Sequence, residues 1–540
     1  MRTFAPTNYQ MNRSFSDSRT VFYLFMLLVF FAPITNYASA IDTASLLVKT
    51  KQGTLRGMTK NDICIWKGIP YATTPSGDLR FRAPQPPKAW TGVKDATAFS
   101  YVAPQPKMPV ADAQPQSEDC LSLNIWSPAA DGKKRPVMFW IHGGGLIVGS
   151  GSSTLYDGTP LVKAGDVVVV TINYRLGPLG FLYFDNLPNH ESFDNNLGIK
   201  DQVAALQWVK ENIAAFGGDP NAVTIFGESA GGLSVLTLMG TPAAKGLFRG
   251  VIAESGLPES LWKPATANYV TQKYLKIVGV SPDSLFKLRA ISSDTLNYAM
   301  QLLVEQLSTE PTPYKTLSPT IDGKYIPTDL MTAIRNRQAE GVSLLIGTNR
   351  NEVNILAKIK QLGAVPQTAK ELVPYMSALK ADEQKRITDS YNKYPHKSSI
   401  LDMITDGIFT IPCIRFAELQ STIAPTYMYR FDWSSGILKL LGLRACHGLE
   451  MPFVFGTFES RLGKKFTTLA NKKQVKILST VMMQAWINFA KTGNPNPAGR
   501  TDWQSYNSTA RSTRILDKKI YTINDPKSKE RKAWTGLSIF

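Results

Sequence analysis

The pentapeptide Gly227-Glu228-Ser229-Ala230-Gly231 constrains this chain more than any other feature. It follows a short run of strand-forming residues, Ala222-Val-Thr-Ile-Phe226, and leads into a helix-like stretch from Gly232. A serine on such a strand–turn–helix corner is held in a strained backbone conformation with its hydroxyl exposed. The flanking positions must be small, because the turn brings neighbouring backbone too close for side chains. The corner also sets the Ala230 N–H and a helix N-terminus beside the serine oxygen. Ser229 is therefore a candidate nucleophile. The bland alternative, an incidental serine in a glycine-rich turn, does not account for the strand before it and the helix after it.

The rest of the chain fits that corner. Arg135-Pro-Val-Met-Phe-Trp-Ile141 and Asp166-Val-Val-Val-Val-Thr-Ile172 read as buried strands. Gly250-Val-Ile-Ala253, Ser343-Leu-Leu-Ile346 and Thr426-Tyr-Met-Tyr-Arg-Phe431 continue the series. From Ile199 to Phe216, apolar Val203, Leu206, Val209, Ile213 and Phe216 recur at helical steps, and Gly217-Gly218-Asp219-Pro220 ends the helix. A long helix is expected over Gln474 to Ala490. Near-continuous apolar strands separated by helices imply a mostly parallel central sheet covered by helices on both faces. The segment from about Pro258 to Gln338 is helix-rich and reads as an insertion suited to a lid or pocket wall. No repeat or linker divides the chain, so a single large α/β domain over residues 41–540 is expected.

Residues 1–40 read differently. Arg13 and Arg19 precede the apolar run Val21 to Phe31, and Ala38-Ser39-Ala40 supplies a small-x-small cleavage pattern. These are the parts of a secretory signal peptide. The run is shorter than the roughly 20 residues a spanning helix needs, which weighs against a membrane anchor. Met11 is an alternative start. The expected location is exported, periplasmic or secreted. Four cysteines, Cys64, Cys120, Cys413 and Cys446, leave their pairing open, and none has metal-ligand spacing. The net charge of +18, of which the first forty residues contribute two, is spread along the chain, with short clusters at Lys133-Lys134-Arg135 and Lys527 to Lys532. That distribution reads as solvated surface rather than as a dedicated nucleic-acid patch, so no nucleic-acid partner is expected. It leaves anionic substrates or an anionic membrane surface as weak partners.

A second constellation follows the Val137–Ile141 strand. Consecutive glycines in His142-Gly143-Gly144-Gly145 free the backbone to aim N–H groups at a developing oxyanion. No lysine follows in a nucleotide-binding position, and His142 reads as a loop-orienting residue. A general base for Ser229 must come from four histidines. With nucleophile, acid and histidine in that chain order, His142 and His190 come too early. His396 sits in a polar loop. His447, between Ala445-Cys446 and Gly448-Leu449, is hemmed by apolar sequence. The acid belongs on a loop after a strand: Glu352, after Ser343 to Ile346, fits, and Asp322 is a rival that reads as a hairpin turn. The acid would orient His447 and stabilise its imidazolium.

Taken together these motifs are specific. Lys67-Gly-Ile-Pro-Tyr-Ala72, Ser117-Glu-Asp-Cys-Leu121, Leu123-Asn-Ile-Trp126, the glycine loop, the serine corner, Gly347-Thr-Asn-Arg-Asn-Glu352 and His447-Gly-Leu-Glu-Met-Pro-Phe-Val-Phe455 span almost the whole mature chain. In them the sequence resembles the type-B carboxylesterases, which include cholinesterases and bacterial p-nitrobenzyl esterases, and the bacterial branch is the more similar. The resemblance implies an α/β-hydrolase fold. It implies Ser229, Glu352 and His447 as the triad, and Gly144, Gly145 and Ala230 as oxyanion donors. It implies structural ion pairs Arg80–Glu118 and Arg175–Asp201, and Ser255 as a serine beside the triad. The family's first disulfide joins Cys120 to an upstream cysteine that the region Phe99 to Ala103 lacks. The loop before Cys120 lacks the tryptophan that cholinesterases use to bind choline, so a cholinesterase is not expected. Leu146 is aliphatic where relatives often carry an aromatic.

The activity implied is hydrolysis of carboxylic esters through an acyl-enzyme on Ser229, with no cofactor and no metal. Other hydrolyses on the same triad (lipid, amide or carbamate bonds) and a non-catalytic binding member of the family are the alternatives. The triad residues speak against the last.

Overall fold

The computed structural model describes residues 46–106, 114–308, 310, 317–359 and 365–538. The expected signal peptide lies outside the described residues, as does the middle of the loop before Cys120. Residues 43–540 form one compact unit.

The strands, in chain order, are β1 (Leu47–Lys49), β2 (Thr54–Arg56), β3 (Met58–Lys60), β4 (Ile63–Pro70), β5 (Val93–Asp95), β6 (Ser122–Ser127) and β7 (Arg135–Ile141). They continue with β8 (Val168–Ile172), β9 (Gly218–Glu228), β10 (Gly250–Glu254), β11 (Ser343–Asn349), β12 (Thr426–Phe431), β13 (Ser512–Leu516) and β14 (Tyr521–Asn524). Among the described residues, eleven make one sheet in the order β14-β13-β12-β11-β10-β9-β7-β8-β6-β4-β3. From β8 through β7, β9, β10, β11 and β12 to β13 every pairing is parallel. The antiparallel pairings lie toward the two edges. A small second sheet joins β1, β2 and β5.

The central strands are buried over most of their length because both faces of the sheet are covered, and side chains alternate between two cores. In β7, Val137, Phe139 and Ile141 enter one core, and Met138 and Trp140 enter the other. The first core takes in the helices Leu197–Asn212 and Ala230–Met239, and the second takes in the helix Lys472–Thr492. The helix-rich insertion is present between β10 and β11 as Pro264–Val278, Ser293–Ser308 and Leu330–Arg335.

Four details differ from the sequence reading. The strand expected from Asp166 starts at Val168, because Asp166 closes the preceding helix in a left-handed conformation, φ 50°. The helix expected through Phe216 ends at Asn212 and tightens into a 3-10 turn over Ile213–Phe216. Gly217, φ 82°, does stop it, but β9 begins at once, at Gly218. Asp322 makes a turn without flanking hairpin strands, its Oδ1 accepting from the N–H groups of Lys324, Tyr325 and Ile326. All four cysteines are free thiols.

Both ion pairs implied by the family resemblance form. Arg80 and Glu118 pair in a bidentate fork. Arg175 Nε and Nη2 donate to Asp201 at 2.8 and 2.7 Å, and Asp201 is completely buried. A buried charge pair contributes little net stability, but removing one partner strands the other. Arg175→Ala is therefore expected to lower unfolding free energy by roughly 3–5 kcal/mol in urea denaturation, with kcat on a soluble ester unchanged in the folded fraction.

Candidate active site

Each predicted site residue follows the carboxyl end of a parallel strand, where ligands bind in sheets of this kind. The glycine loop leaves β7, Ser229 leaves β9, Ser255 leaves β10, Glu352 lies three residues past β11, and His447 lies in the loop after β12.

Ser229 occupies φ 59°, ψ −120°, the strained corner expected from the sequence. Its N–H donates to Glu254 O at 2.9 Å, and its carbonyl accepts from Leu233 N–H, the first bond of the helix Ala230–Met239. The flanking glycines are required by space: a Cβ at Gly227 would lie 2.6 Å from the Gly231 backbone, and one at Gly231 would strike Ile141 O. Ser229 is half-buried among buried neighbours, so its hydroxyl is reachable.

Gly143 abuts this corner; a Cβ there would lie 3.1 Å from Ser229 Cβ. Gly144 and Gly145, both at positive φ and both half-buried, come next, and Ala230 opens the helix on the other side. His142 holds the loop. It is fully buried, burial pulls its pKa down to about 4, and its Nδ1–H donates to Gly143 O at 2.8 Å. Its ring stacks on Tyr174, whose hydroxyl donates to His142 O at 2.7 Å.

Glu352 is wholly buried and triply anchored. Its Oε1 accepts from the Ser255 hydroxyl and from Asn349 N–H, both at 2.6 Å, and its Oε2 accepts from His447 Nδ1 at 2.7 Å. The His447 N–H donates to Glu352 O, so the two loops are tied through backbone as well. Phe409 packs its ring against the imidazole, with centroids 5.1 Å apart. The structure thus brings Glu352, His447 and Ser255 together directly. The fourth contact is different: His447 Nε2 lies 3.2 Å from Glu228 Oε1, and Ser229 Oγ makes no hydrogen bond among the described residues. Catalytic contacts of this kind are often long or misaligned without substrate. Asp322 lies in the turn described above, bonded to Asn196 Nδ2, and His396 caps the helix Lys397–Thr405.

Sequence reasoning left three carboxyl groups without a role. Glu228, Glu254 and Glu450 are all buried beside this centre. Trp486 Nε1 donates to Glu254 at 2.9 Å, and Asn349 Nδ2 donates to Glu450. Burial raises Glu450 to about 8 and Glu254 well above the usual range, and neighbouring carboxylates add to both. Burial also raises Glu228, against the pull of His447. Glu228 and Glu450 stand inside motifs already noted, the serine corner and His447-Gly-Leu-Glu450, and Glu254 directly precedes Ser255. An acidic residue within an otherwise apolar or small-residue motif was the available signal.

Burial pulls the His447 pKa down, but the charge of Glu228 and the bond and charge of Glu352 overcome it and push it up to about 9. Only the neutral imidazole accepts a proton, so kcat/KM is expected to rise with pH toward that value. Glu228→Gln removes one negative neighbour, so the rising limb of the pH–kcat/KM profile should move to lower pH by about one unit. An unmoved limb would show that Glu228 does not govern His447.

Comparison with known proteins agrees with this geometry. The carboxylesterase family model matches residues 44–534. The para-nitrobenzyl esterase of Bacillus subtilis (strain 168) is 41% identical over 492 residues, which is 90% of this chain and 97% of that protein. The cocaine esterase of Homo sapiens is 35% identical, over 81% of this chain and 80% of that protein. Among solved structures, a carboxylesterase of Geobacillus stearothermophilus superposes with a TM-score of 0.81 at 39% identity, over 91% of this chain and all of that one. The chain belongs to the carboxylesterase family: it has the α/β-hydrolase fold and is a carboxylic ester hydrolase.

Proposed function

We propose that Ser229, His447 and Glu352 carry the chemistry, by way of an acyl-enzyme. His447 swings from Glu228 toward Ser229, takes the hydroxyl proton, and the oxygen attacks the ester carbonyl. Charge collects on the carbonyl oxygen and is met by the N–H groups of Gly144, Gly145 and Ala230, each such donor being worth roughly 3 kcal/mol of barrier. The alcohol departs with the proton from His447. Water, activated by the same imidazole, then releases the acid and restores Ser229. The observation that supports this most is Glu352, held on three sides with its free edge on His447 Nδ1. No step calls on a cofactor or metal.

Residues 1–40 act as a signal peptide in this reading, and the mature chain is exported to the periplasm or the medium, where its basic surface meets anionic lipid. The mechanism is tested by stopped-flow hydrolysis of p-nitrophenyl acetate, butyrate and longer esters, followed by mass spectrometry of the quenched enzyme. A burst of p-nitrophenol with an acyl adduct on the Ser229 peptide is expected. An adduct on another residue would refute it.

A further inference from the structure

The two most exposed large apolar side chains among the described residues are Leu440 and Leu469, 81% and 76% accessible. They come from different segments, yet they lie on one side of the protein. Leu440 ends the short helix Gly436–Leu440, one turn after Gly436 and therefore on the same helix face. Leu469 sits against that face: a Cβ on Gly436 would lie 3.7 Å from Leu469 Cβ. Leu441, beside Leu440, is also exposed. Scattered single leucines on a surface need no explanation, but adjacent ones are a different observation.

The charge of the stretch that carries them is one-sided. From Trp433 to Val481 the chain has eight lysines and arginines and two carboxylates, of which Glu450 is buried. Lys439, Arg444, Lys464, Lys465, Lys472 and Lys473 are all exposed. Glu459 pairs with Lys464 at 3.1 Å and is the only exposed carboxylate in the segment. Elsewhere the surface mixes signs, as in Arg56–Asp95, Lys385–Asp389 and Arg500–Asp502.

We infer that this face docks on an anionic lipid bilayer, with Leu440, Leu441 and Leu469 entering the headgroup region and the exposed lysines and arginines of the same stretch meeting lipid phosphates. Apolar anchors ringed by basic residues are what an interfacial site requires, since neither a lone anchor nor charge alone holds firmly. The face is also joined to the catalytic loops. Lys358 Nζ donates to Leu441 O at 3.0 Å, Asn354 Nδ2 to Gly442 O at 2.9 Å, and Asn351 N–H to Ala445 O at 2.9 Å. The segment that touches lipid is thus the one that carries His447, and it is strapped to the helix that follows Glu352. Docking would place the ester site at the membrane surface. The inference concerns binding alone and does not rest on the roles given to Ser229, His447 and Glu352.

The test is co-sedimentation of residues 43–540 with vesicles of phosphatidylglycerol and phosphatidylcholine, beside vesicles of phosphatidylcholine alone. The solved relatives are matched along their whole length by most of this chain, so the compact unit is the appropriate protein. Binding is expected to the anionic vesicles and not to the neutral ones. The double variant Leu440→Asp, Leu469→Asp should raise the lipid concentration for half-binding about tenfold or more, with hydrolysis of a soluble ester unchanged as a check of folding. Equal binding to both vesicle types, binding unaffected by the double variant, or no binding would each overturn the inference. So would a concentration-dependent dimer that the double variant abolishes, which would assign the face to a second copy.

Discussion

Ser229→Ala is expected to lower kcat for p-nitrophenyl butyrate by roughly 10⁵-fold or more, with little change in thermal stability. The two halves of that expectation have separate grounds. The rate falls because acyl transfer loses its nucleophile, and what remains is whatever the glycine loop and binding alone provide. Stability is kept because the hydroxyl makes no hydrogen bond among the described residues, and alanine inherits the same strained φ of 59°. The backbone bonds from Ser229 N–H to Glu254 and from Leu233 N–H to the Ser229 carbonyl do not involve the side chain. Steady-state kinetics beside a thermal melt decides it. Activity within tenfold of the parent would move the nucleophile elsewhere.

Glu352→Gln is expected to cost roughly 10⁴-fold in kcat, and the reason is tautomeric. Glu352 accepts hydrogen bonds with both oxygens: from Ser255 and Asn349 on one side and from His447 Nδ1 on the other. Glutamine keeps one acceptor. If its carbonyl stays with the buried Asn349 N–H, its NH₂ faces His447 Nδ1 and makes that nitrogen an acceptor. The imidazole then carries its proton on Nε2, the atom that has to receive one from Ser229. The same change removes a negative neighbour, so the pKa of His447 should fall below its value of about 9. A low, pH-shifted residual rate in a folded variant is the expected signature. Full activity would mean that Glu228, 3.2 Å from Nε2, is the carboxylate that matters.

The sheet was legible in the sequence because its central strands are buried on both faces. Runs such as Val168 to Ile172 admit no other reading, and Thr426–Phe431 and Arg135–Ile141 fall where the residues place them. The serine corner was legible because its glycines are dictated by backbone contact. Boundaries were less so: Asp166 looks like the start of a strand, and only its left-handed conformation as a helix cap excludes it. The partner of His447 Nε2 was not legible at all. Local sequence places Glu228 next to Ser229, and which of the two faces the imidazole depends on a loop more than 200 residues away. The Leu440–Leu469 face was hidden for the same reason, since neither segment alone is unusual.

The dispersal of the site over successive strands sets when the enzyme can first work. The glycine loop follows β7, Ser229 follows β9, and Glu352 follows β11, but His447 follows β12, within the last fifth of the chain. On the proposed assignment, a partly synthesised chain holds Ser229 long before His447, so it stays chemically silent until the C-terminal strands join the sheet. Such an order of synthesis postpones hydrolysis without any inhibitor or pro-segment. It also makes the recovery of ester hydrolysis during refolding a direct clock for closure of the distant pairings, which form more slowly than local ones.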